Sequence, residues 1–500
     1  MWQRSSSVNV GLLLSKAALA HGARPALAFG DRRWTYAELD EWTGRLAGGL
    51  LTLGLQRGDR VVLWMRNRPE LAALMLGCWK AGLCTVPANF RLHPSEVAYL
   101  VDNSRAAALF CDETFSPPPP APGVRVLSAL ELPSGTPLEA VDVAPEEAAW
   151  LFYTSGTTGR PKGAELSHRV VLAGTMNCLA DIWSYQPEDV VLHAAPLTHG
   201  SGFYMLPGLA RGSLQLVSDQ PSFEPARFFE LIEREKVSAI AFLAPTMIVK
   251  LLNDSALRRH DLSSLQHVCY GGGPMYSENI KEAVEALGRV WVQIYAQGET
   301  PMTATYLRAA EHRWDDADAE RRLSSVGIAR TDVEVRVLDD NDAEVPAGEV
   351  GQLCVRAETV MMGYWDDSGA TAETLRGGWL HTGDLGYRDQ GGYFFLVDRA
   401  KDMIISAGNN IYAREVEEAL LTHPAVLEVA VIGRPDAYWG ESVHAVVVLR
   451  SGAIAGEREL IDHVRGQIAS YKKPKTIDFV AELPKNSYGK VLKTALRGDL

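Results

Sequence analysis

From Tyr153 to Lys162 the chain reads Tyr-Thr-Ser-Gly-Thr-Thr-Gly-Arg-Pro-Lys, hydroxyls and glycines closing on a lysine. Glycines let a backbone turn its N–H groups toward one point, hydroxyls add donors and lysine adds positive charge, a combination that suits a polyphosphate. It is not a Walker A loop: Pro161 stands five residues after Gly156, where that motif needs glycine ahead of its lysine. A passive surface loop would account for Gly156 to Gly159 alone, but not for Pro161, Lys162 and Gly163 beside them. Further along, Gly271-Gly-Gly-Pro274 follows an apolar run, so its flat backbone can lie close to a planar base. Tyr295 ends the next run and offers an aromatic face. Glu299 is a hard oxygen ligand suited to Mg²⁺ on phosphates. Asp384 follows a glycine in Trp379-Leu-His-Thr-Gly-Asp, where its carboxylate can accept from ribose hydroxyls. Each alone has a plainer reading as a strand-end turn, a core tyrosine, a solvated glutamate or a turn aspartate. Their order along one chain links them.

The elements that must position these residues alternate strand and helix. Thr35 to Glu38 has capping-box spacing ahead of a helix carrying Leu39, Trp42, Leu46 and Leu50. A strand over 61–65, a helix over 69–80 and a strand over 84–86 make a strand–helix–strand unit, and a helix over 95–101 and a strand over 107–111 repeat it. Strands over 190–192, 238–242, 267–270 and 290–294 alternate with helices over 225–235 and 278–287. A helix-like run is expected directly after the 153–162 stretch. From about Ser325, short strands over 333–338 and 352–355 separated by Asp339-Asp-Asn-Asp342 read as a small β subdomain. The last hundred residues restart with a helix over 413–421, strands over 429–432 and 443–449, and a helix over 457–468. The fold class is therefore α/β: a large N-terminal domain of α/β layers with a small β subdomain, then a small mobile α+β C-terminal domain. The boundaries fall at 1–398, a hinge at 399–402, and 403–500.

Five hundred residues exceed one hydrophobic core, and 47% hydrophobic with 22% charged residues is ordinary for a globular protein. A net charge of −13 argues against broad nucleic-acid binding. Six scattered cysteines without Cys-x-x-Cys spacing read as buried thiols of a reducing cytoplasm, not disulfides or zinc ligands. Lys16 interrupts the first apolar run, so no signal peptide is expected, and no stretch is long enough for a transmembrane helix. Ser116 to Pro122, with four consecutive prolines, reads as an exposed extended linker.

Taken together, these motifs, with Pro196-Leu-Thr-His199, Asp398-Arg399-Ala-Lys401-Asp402 and Gly489-Lys490, resemble the adenylate-forming superfamily of acyl-CoA synthetases, luciferases and adenylation domains over nearly the whole chain. The resemblance implies an enzyme that uses ATP, Mg²⁺ and coenzyme A. It implies that Thr154, Ser155, Gly156, Thr157, Thr158, Gly159 and Lys162 hold the β- and γ-phosphates. It sets Gly272 and Gly273 against adenine opposite Tyr295, with Gln293 reading the amino group, and has Asp384 and Arg399 hold the ribose. Glu299 would bind Mg²⁺, and Lys490 would reach in from the small domain as the catalytic cation, with His199 counted in the catalytic set. Lys401 matches the hinge, and in the second orientation the turn at Ala407-Gly408 approaches the pantetheine tunnel. Ala296 and Gly298 depart from the usual Gly and Thr or Ser, removing a hydroxyl near the α-phosphate whose place Thr300 or a water would take. Ala413 replaces a common proline.

The implied reaction is AMP-forming activation of a carboxylic acid followed by transfer to coenzyme A. A stand-alone enzyme loading an acyl carrier protein and a non-catalytic nucleotide-binding regulator are the alternatives. The segment Leu197 to Phe203 has no carboxylate to pair a substrate amine, no carrier domain follows Leu500, and the charged residues of the motifs are intact. Phe203, Met205, Met275 and Met302 would line the acyl pocket, although core packing explains each methionine equally well. No arginine stands in those segments to pair a second carboxylate, so the expected substrate is a fatty or aromatic monocarboxylic acid. No transmembrane segment and no nucleic-acid partner are expected, and a homodimer is left open.

Overall fold

The computed structural model describes residues 8–119, 122–154, 160–220, 222–273, 275–301, 303–399, 402–406, 409–436, 438–486 and 490–498, with Asp398 and Arg399 described in their backbone only. Ser155, Gly156, Thr157, Thr158, Gly159, Met302, Lys401 and Gly408 lie outside the described residues.

Among the described residues the chain forms four sheets. One has six strands in the order Arg125–Ser128, Ala108–Cys111, Arg60–Trp64, Cys84–Ala88, Ala148–Thr154 and Lys162–Ser167. The pairs are parallel up to the last, which is antiparallel. Its central strands are nearly continuous apolar runs, as a sheet covered on both faces requires. The helix Pro69–Lys80 crosses between two of them, starts on a proline that needs no amide partner, and is buried from Leu71 to Lys80. Lys80 is tolerated there because its ammonium meets Asp40 Oδ1 at 2.6 Å. The helix Tyr36–Thr52 starts on the expected capping box, Thr35 and Glu38 each accepting from the other's backbone N–H.

The second sheet has nine strands, ordered Ile328–Ala329, Thr305–Leu307, Trp291–Tyr295, His267–Gly271, Ala239–Leu243, Val190–His193, Leu214–Val217, Pro25–Phe29 and Arg32–Thr35. Its middle is parallel and both margins are antiparallel. Gly271 pairs with Ile294, so the strand ends that carry Gly272 and Tyr295 lie side by side at the carboxyl edge, where open α/β sheets place ligands. A four-stranded antiparallel sheet, Glu334–Leu338, Gly351–Arg356, Leu380–Arg388 and Phe394–Arg399, is the expected β subdomain.

The fourth sheet is built from Ile404–Ser406, Asn409–Ile411, Val426–Asp436, Gly440–Leu449 and Thr476–Phe479, and it has its own core around Ile404, Val416, Val431 and Leu460. It meets the rest of the chain through Tyr276, whose hydroxyl donates to Glu417 Oε2 at 2.9 Å, and through Arg414, which donates to the Ser324 carbonyl at 3.3 Å. Glu417 also receives the Lys493 ammonium at 2.8 Å.

Four expectations change. The 153–162 stretch is followed by the strand Lys162–Ser167 and not directly by a helix, so the loop caps a β-hairpin; the helix starts at His168, where Ser167 caps it. The helix expected over 457–468 stops at Arg465, with Gly466 at its C-cap. The strand expected over 429–432 extends to Val426–Asp436. The proline-rich linker is not uniformly exposed: Pro118 is buried, facing Val101, Leu109 and Val126. All six cysteines are free and buried, and among the described residues no helix is long and apolar enough to cross a membrane.

Candidate active site

The hairpin register sets the site's first dimension. Thr154 pairs with Lys162 across its base, so hydroxyl and ammonium stand opposite each other where the loop begins and ends. Tyr153 and Tyr99 brace that base: the Tyr153 hydroxyl donates to Asn103 Oδ1 at 2.6 Å, and the Tyr99 hydroxyl to the Pro161 carbonyl at 2.9 Å. The Lys162 ammonium lies 3.7 Å from Asp367 Oδ2 and 5.2 Å from the centre of the Tyr364 ring.

Glu299, only 7% exposed, faces this base. Its Oε1 accepts from Thr154 Oγ1 at 2.9 Å and from the Tyr364 hydroxyl at 2.8 Å. Both donors sit on Oε1, so Oε2 is the oxygen left for a further ligand. The hairpin base, Glu299 and Tyr364 therefore form one cluster of cation, hydroxyls and hard oxygen.

A second cluster holds Asp384. Its Oδ2 accepts from the Tyr295 hydroxyl and from Gln297 Nε2, each at 2.8 Å, and Gln297 also donates to the Thr382 carbonyl at 2.6 Å. Gly383, at φ +70°, turns the backbone just before the aspartate inside the strand Leu380–Arg388. Strand register then sets Arg399 opposite Asp384. Gly272 at φ +77° keeps the strand end flat beside Tyr295, with Phe242 behind it. Gln293 lies one strand repeat below Tyr295 and is buried, its Oε1 3.5 Å from the Tyr270 hydroxyl.

His199 stands between the clusters and the core. Its ring meets Phe152 edge-on at 5.0 Å and Phe242 at 6.4 Å. Burial lowers its pKa to about 4, so near neutral pH it offers an uncharged ring. Phe203 and Met205 pack into the core with Trp150 and Val170, and Met275 packs with Tyr270 and Ile280. Lys490, in the C-terminal domain, is exposed, and its backbone N–H donates to Asn486 Oδ1 at 2.9 Å while its carbonyl accepts from Asn486 N at 2.8 Å.

The glycine at 298 has a steric cause. A Cβ there would collide with Thr154 Cγ2 and approach Phe152 Cδ1 to 2.6 Å. Phe152 fills the space that a threonine or serine would need. Thr300 does not take over the missing hydroxyl's place: it is fully buried, and its Oγ1 is within hydrogen-bond distance of Thr303 and Thr359 hydroxyls at 3.0 and 3.2 Å. Gly298→Thr is accordingly expected to overpack the site and destabilise the protein by about 1–3 kcal/mol, with loss of activity. Phe152→Leu together with Gly298→Thr relieves the Phe152 contact but leaves the one with Thr154 Cγ2, so it should recover part of the stability. Thermal melts and pyrophosphate formation compare the two variants; a Gly298→Thr protein that melts like the wild type would refute the steric account.

Tyr364 and Phe152 had no signal of their own in the sequence, whereas Thr382 stands inside the Trp379–Asp384 motif without a role of its own. Gln297 lies two residues before Glu299 and was within reach of a motif reading; Tyr364 is tied to Glu299 across the fold.

Comparison with known proteins gives this geometry a lineage. Residues 14–365 match the family model described as AMP-binding enzyme, and residues 415–490 match the AMP-binding enzyme C-terminal domain. A feruloyl-CoA synthase of Amycolatopsis sp is 36% identical over 484 residues, covering 94% of this chain and 95% of that protein. The medium/long-chain-fatty-acid–CoA ligase FadD8 of Mycobacterium tuberculosis is 33% identical over 528 residues, covering 98% and 90%. The crystal structure of ATP-bound MatB from Rhodopseudomonas palustris superposes with a TM-score of 0.88 at 29% identity, covering 99% of each chain. With the family model spanning most of its length and relatives of this identity covering nearly all of it, the chain belongs to the AMP-binding enzymes, the adenylate-forming family.

Proposed function

We propose that the site activates a carboxylic acid with MgATP and passes the acyl group to coenzyme A. The protein is an acid–thiol ligase, an AMP-forming acyl-CoA synthetase. In the first half-reaction a carboxylate oxygen attacks the α-phosphorus, the bond from that phosphorus to the bridging oxygen breaks, and pyrophosphate leaves. In the second, a thiolate sulfur attacks the acyl carbon and AMP departs with the oxygen it gained.

The observation that carries this reading is the convergence of Thr154, Lys162 and Glu299 at the hairpin base, beside a separate tyrosine–aspartate pair. Repulsion between an anionic acid and a polyphosphate is the obstacle, and fixed cationic groups offset it without reorganising. Lys162 and the hydroxyls of the loop hold the β- and γ-phosphates. Asp384, oriented by Tyr295 and Gln297, accepts from the ribose hydroxyls, with Arg399 opposite it in the strand register. Glu299 fits a divalent cation, being a buried hard-oxygen donor with one oxygen already fixed by two hydroxyls. Bound there, Mg²⁺ supplies charge neutralisation on the phosphate oxygens. His199, uncharged, contributes shape and not charge to the acyl side.

Residues 1–398 form the nucleotide- and acyl-binding domain, Lys401 within 399–402 is the hinge, and 403–500 is the lid that delivers Lys490. The acid is a fatty or aromatic monocarboxylate, in keeping with the aromatic rings of Phe152, His199 and Phe242 and with relatives named as feruloyl- and fatty-acid–CoA ligases. The free, buried cysteines fit a cytoplasmic setting.

A pyrophosphate-release assay with fatty, aryl and dicarboxylic acids tests this, run with coenzyme A, with a pantetheinylated carrier protein and with neither. Release that depends on a monocarboxylate, together with acyl-CoA formation, is expected. Thioester on the carrier alone would replace the acceptor, and no release with any acid would remove the enzyme reading.

A further inference from the structure

Tyr364 lies some two hundred residues beyond the phosphate hairpin in sequence, yet it touches both charged groups at the hairpin's base. Its hydroxyl donates to Glu299 Oε1 at 2.8 Å, and the face of its ring lies 5.2 Å below the Lys162 ammonium. Nothing about a lone tyrosine predicts this, but the backbone around it does. Residues 361–365 run antiparallel along the strand Lys162–Ser167: Met362 N donates to the Glu165 carbonyl at 2.9 Å, Glu165 N to the Gly363 carbonyl at 2.9 Å, and Trp365 N to the Gly163 carbonyl at 2.8 Å. Met361 N donates to the Glu299 carbonyl at 2.8 Å. One short segment thus stitches the strand that carries Lys162 to the backbone that carries Glu299.

The segment is itself anchored. Tyr364 N donates to Thr371 Oγ1 at 2.8 Å, and the Trp365 indole donates to the Asn103 carbonyl at 3.0 Å. Asp367, which approaches Lys162, also caps the helix Ser368–Thr374 by accepting from Ala370 N at 2.9 Å.

We propose that Tyr364 is a positioning residue that sets the distance and orientation between Lys162 and Glu299, its ring seating the phosphate-side ammonium and its hydroxyl the metal-side carboxylate. The proposal rests on the assignment of Glu299 to Mg²⁺ made above. A cation over an aromatic face is held by the ring's quadrupole, and a hydroxyl on the outer oxygen of a ligating carboxylate orients the inner one. The two contacts are separable, because removing the hydroxyl leaves the ring.

Isothermal titration of ATP into the full-length protein, in EDTA and in Mg²⁺, separates them. Tyr364→Phe should keep wild-type affinity in EDTA and lose about 10-fold of the gain that Mg²⁺ confers. Excess Mg²⁺ should restore its rate of pyrophosphate formation. Tyr364→Leu, which also loses the ring, should bind ATP more weakly in both buffers. In the double variant Glu299→Gln, Tyr364→Phe, the second change should add nothing to the Mg²⁺ deficit, since the hydroxyl acts through the carboxylate. A Tyr364→Phe protein with the full Mg²⁺ gain, one weakened equally in both buffers, or additive losses in the double variant would each overturn the proposal. Wild-type protein that binds ATP with no Mg²⁺ gain would overturn it by removing the metal assignment itself, a failure seen before any variant is made.

Discussion

Lys490→Ala is expected to lower acyl-adenylate formation by about 100-fold or more, while conversion of supplied acyl-adenylate to thioester stays within a few-fold of wild type. The residue is exposed and bonded to Asn486 through its backbone N–H and carbonyl, so replacing its side chain leaves those bonds intact. Lys490 belongs to a domain with its own core that meets the rest at Tyr276 and Arg414. A cation delivered by a domain that moves can serve one half-reaction and be absent from the other. Lys490→Arg should recover part of the first step, because the charge is kept while the shape of the donor changes. Measuring each half-reaction by single turnover checks the division; equal loss in both would contradict it.

The second large effect is on stability in acid. Burial lowers the pKa of His168, His193 and His312 to about 4 and that of His267 to about 3. In the unfolded chain histidines titrate near ~6.5, so over the interval below that value the unfolded state binds protons that the folded state does not. The stability these neutral rings permit is present above about pH 6.5 and lost as pH falls toward 4, at about 2 kcal/mol for each ring by pH 5. Several such rings together approach the whole margin of about 5–15 kcal/mol that holds a typical domain folded. Glu311, which its ion pair with Arg308 and other hydrogen bonds hold at about 2 despite burial, loses its contribution only at lower pH, while Glu165, whose pKa burial raises, works in the opposite direction to the histidines and offsets part of the loss. Calorimetric melts between pH 7.5 and pH 5 should therefore show a steep fall in Tm, and a flat profile would contradict the burial of these rings.

The fold was legible where local chemistry and global packing agree. The helices Pro69–Lys80, Pro225–Glu235 and Ala413–Leu421 fall where the sequence places them, two of them because a proline fixes the first turn. The motif residues were legible as a set from their order along the chain, and the fold brings Thr154, Lys162 and Glu299 together and Tyr295 onto Asp384. The hairpin was not legible: Lys162–Ser167 is six residues of weak alternation leading straight into a helix, and pairing with Ala148–Thr154 on one side and with residues 361–365 on the other makes it a strand. The exchange of a hydroxyl for Gly298 looked like a loss until Phe152 was seen to fill the space. Tyr364 and Gln297 acquire their roles from hydrogen bonds that no local pattern encodes. Phe203 and Met205, read as pocket lining, sit in a packed core where an apolar side chain serves either purpose.

The central claim is that ATP is split between its α- and β-phosphates by a carboxylate held beside Lys162 and Glu299. Turnover of an acid carrying heavy oxygen in its carboxylate, with ATP and coenzyme A, tests this directly by mass spectrometry of the nucleotide products. The attacking oxygen stays on the α-phosphorus when the thiolate takes the acyl group, so AMP carrying one heavy oxygen, with unlabelled pyrophosphate, is the predicted result. Label in inorganic phosphate, with ADP as the nucleotide product, would mean attack at the terminal phosphate and would contradict the account.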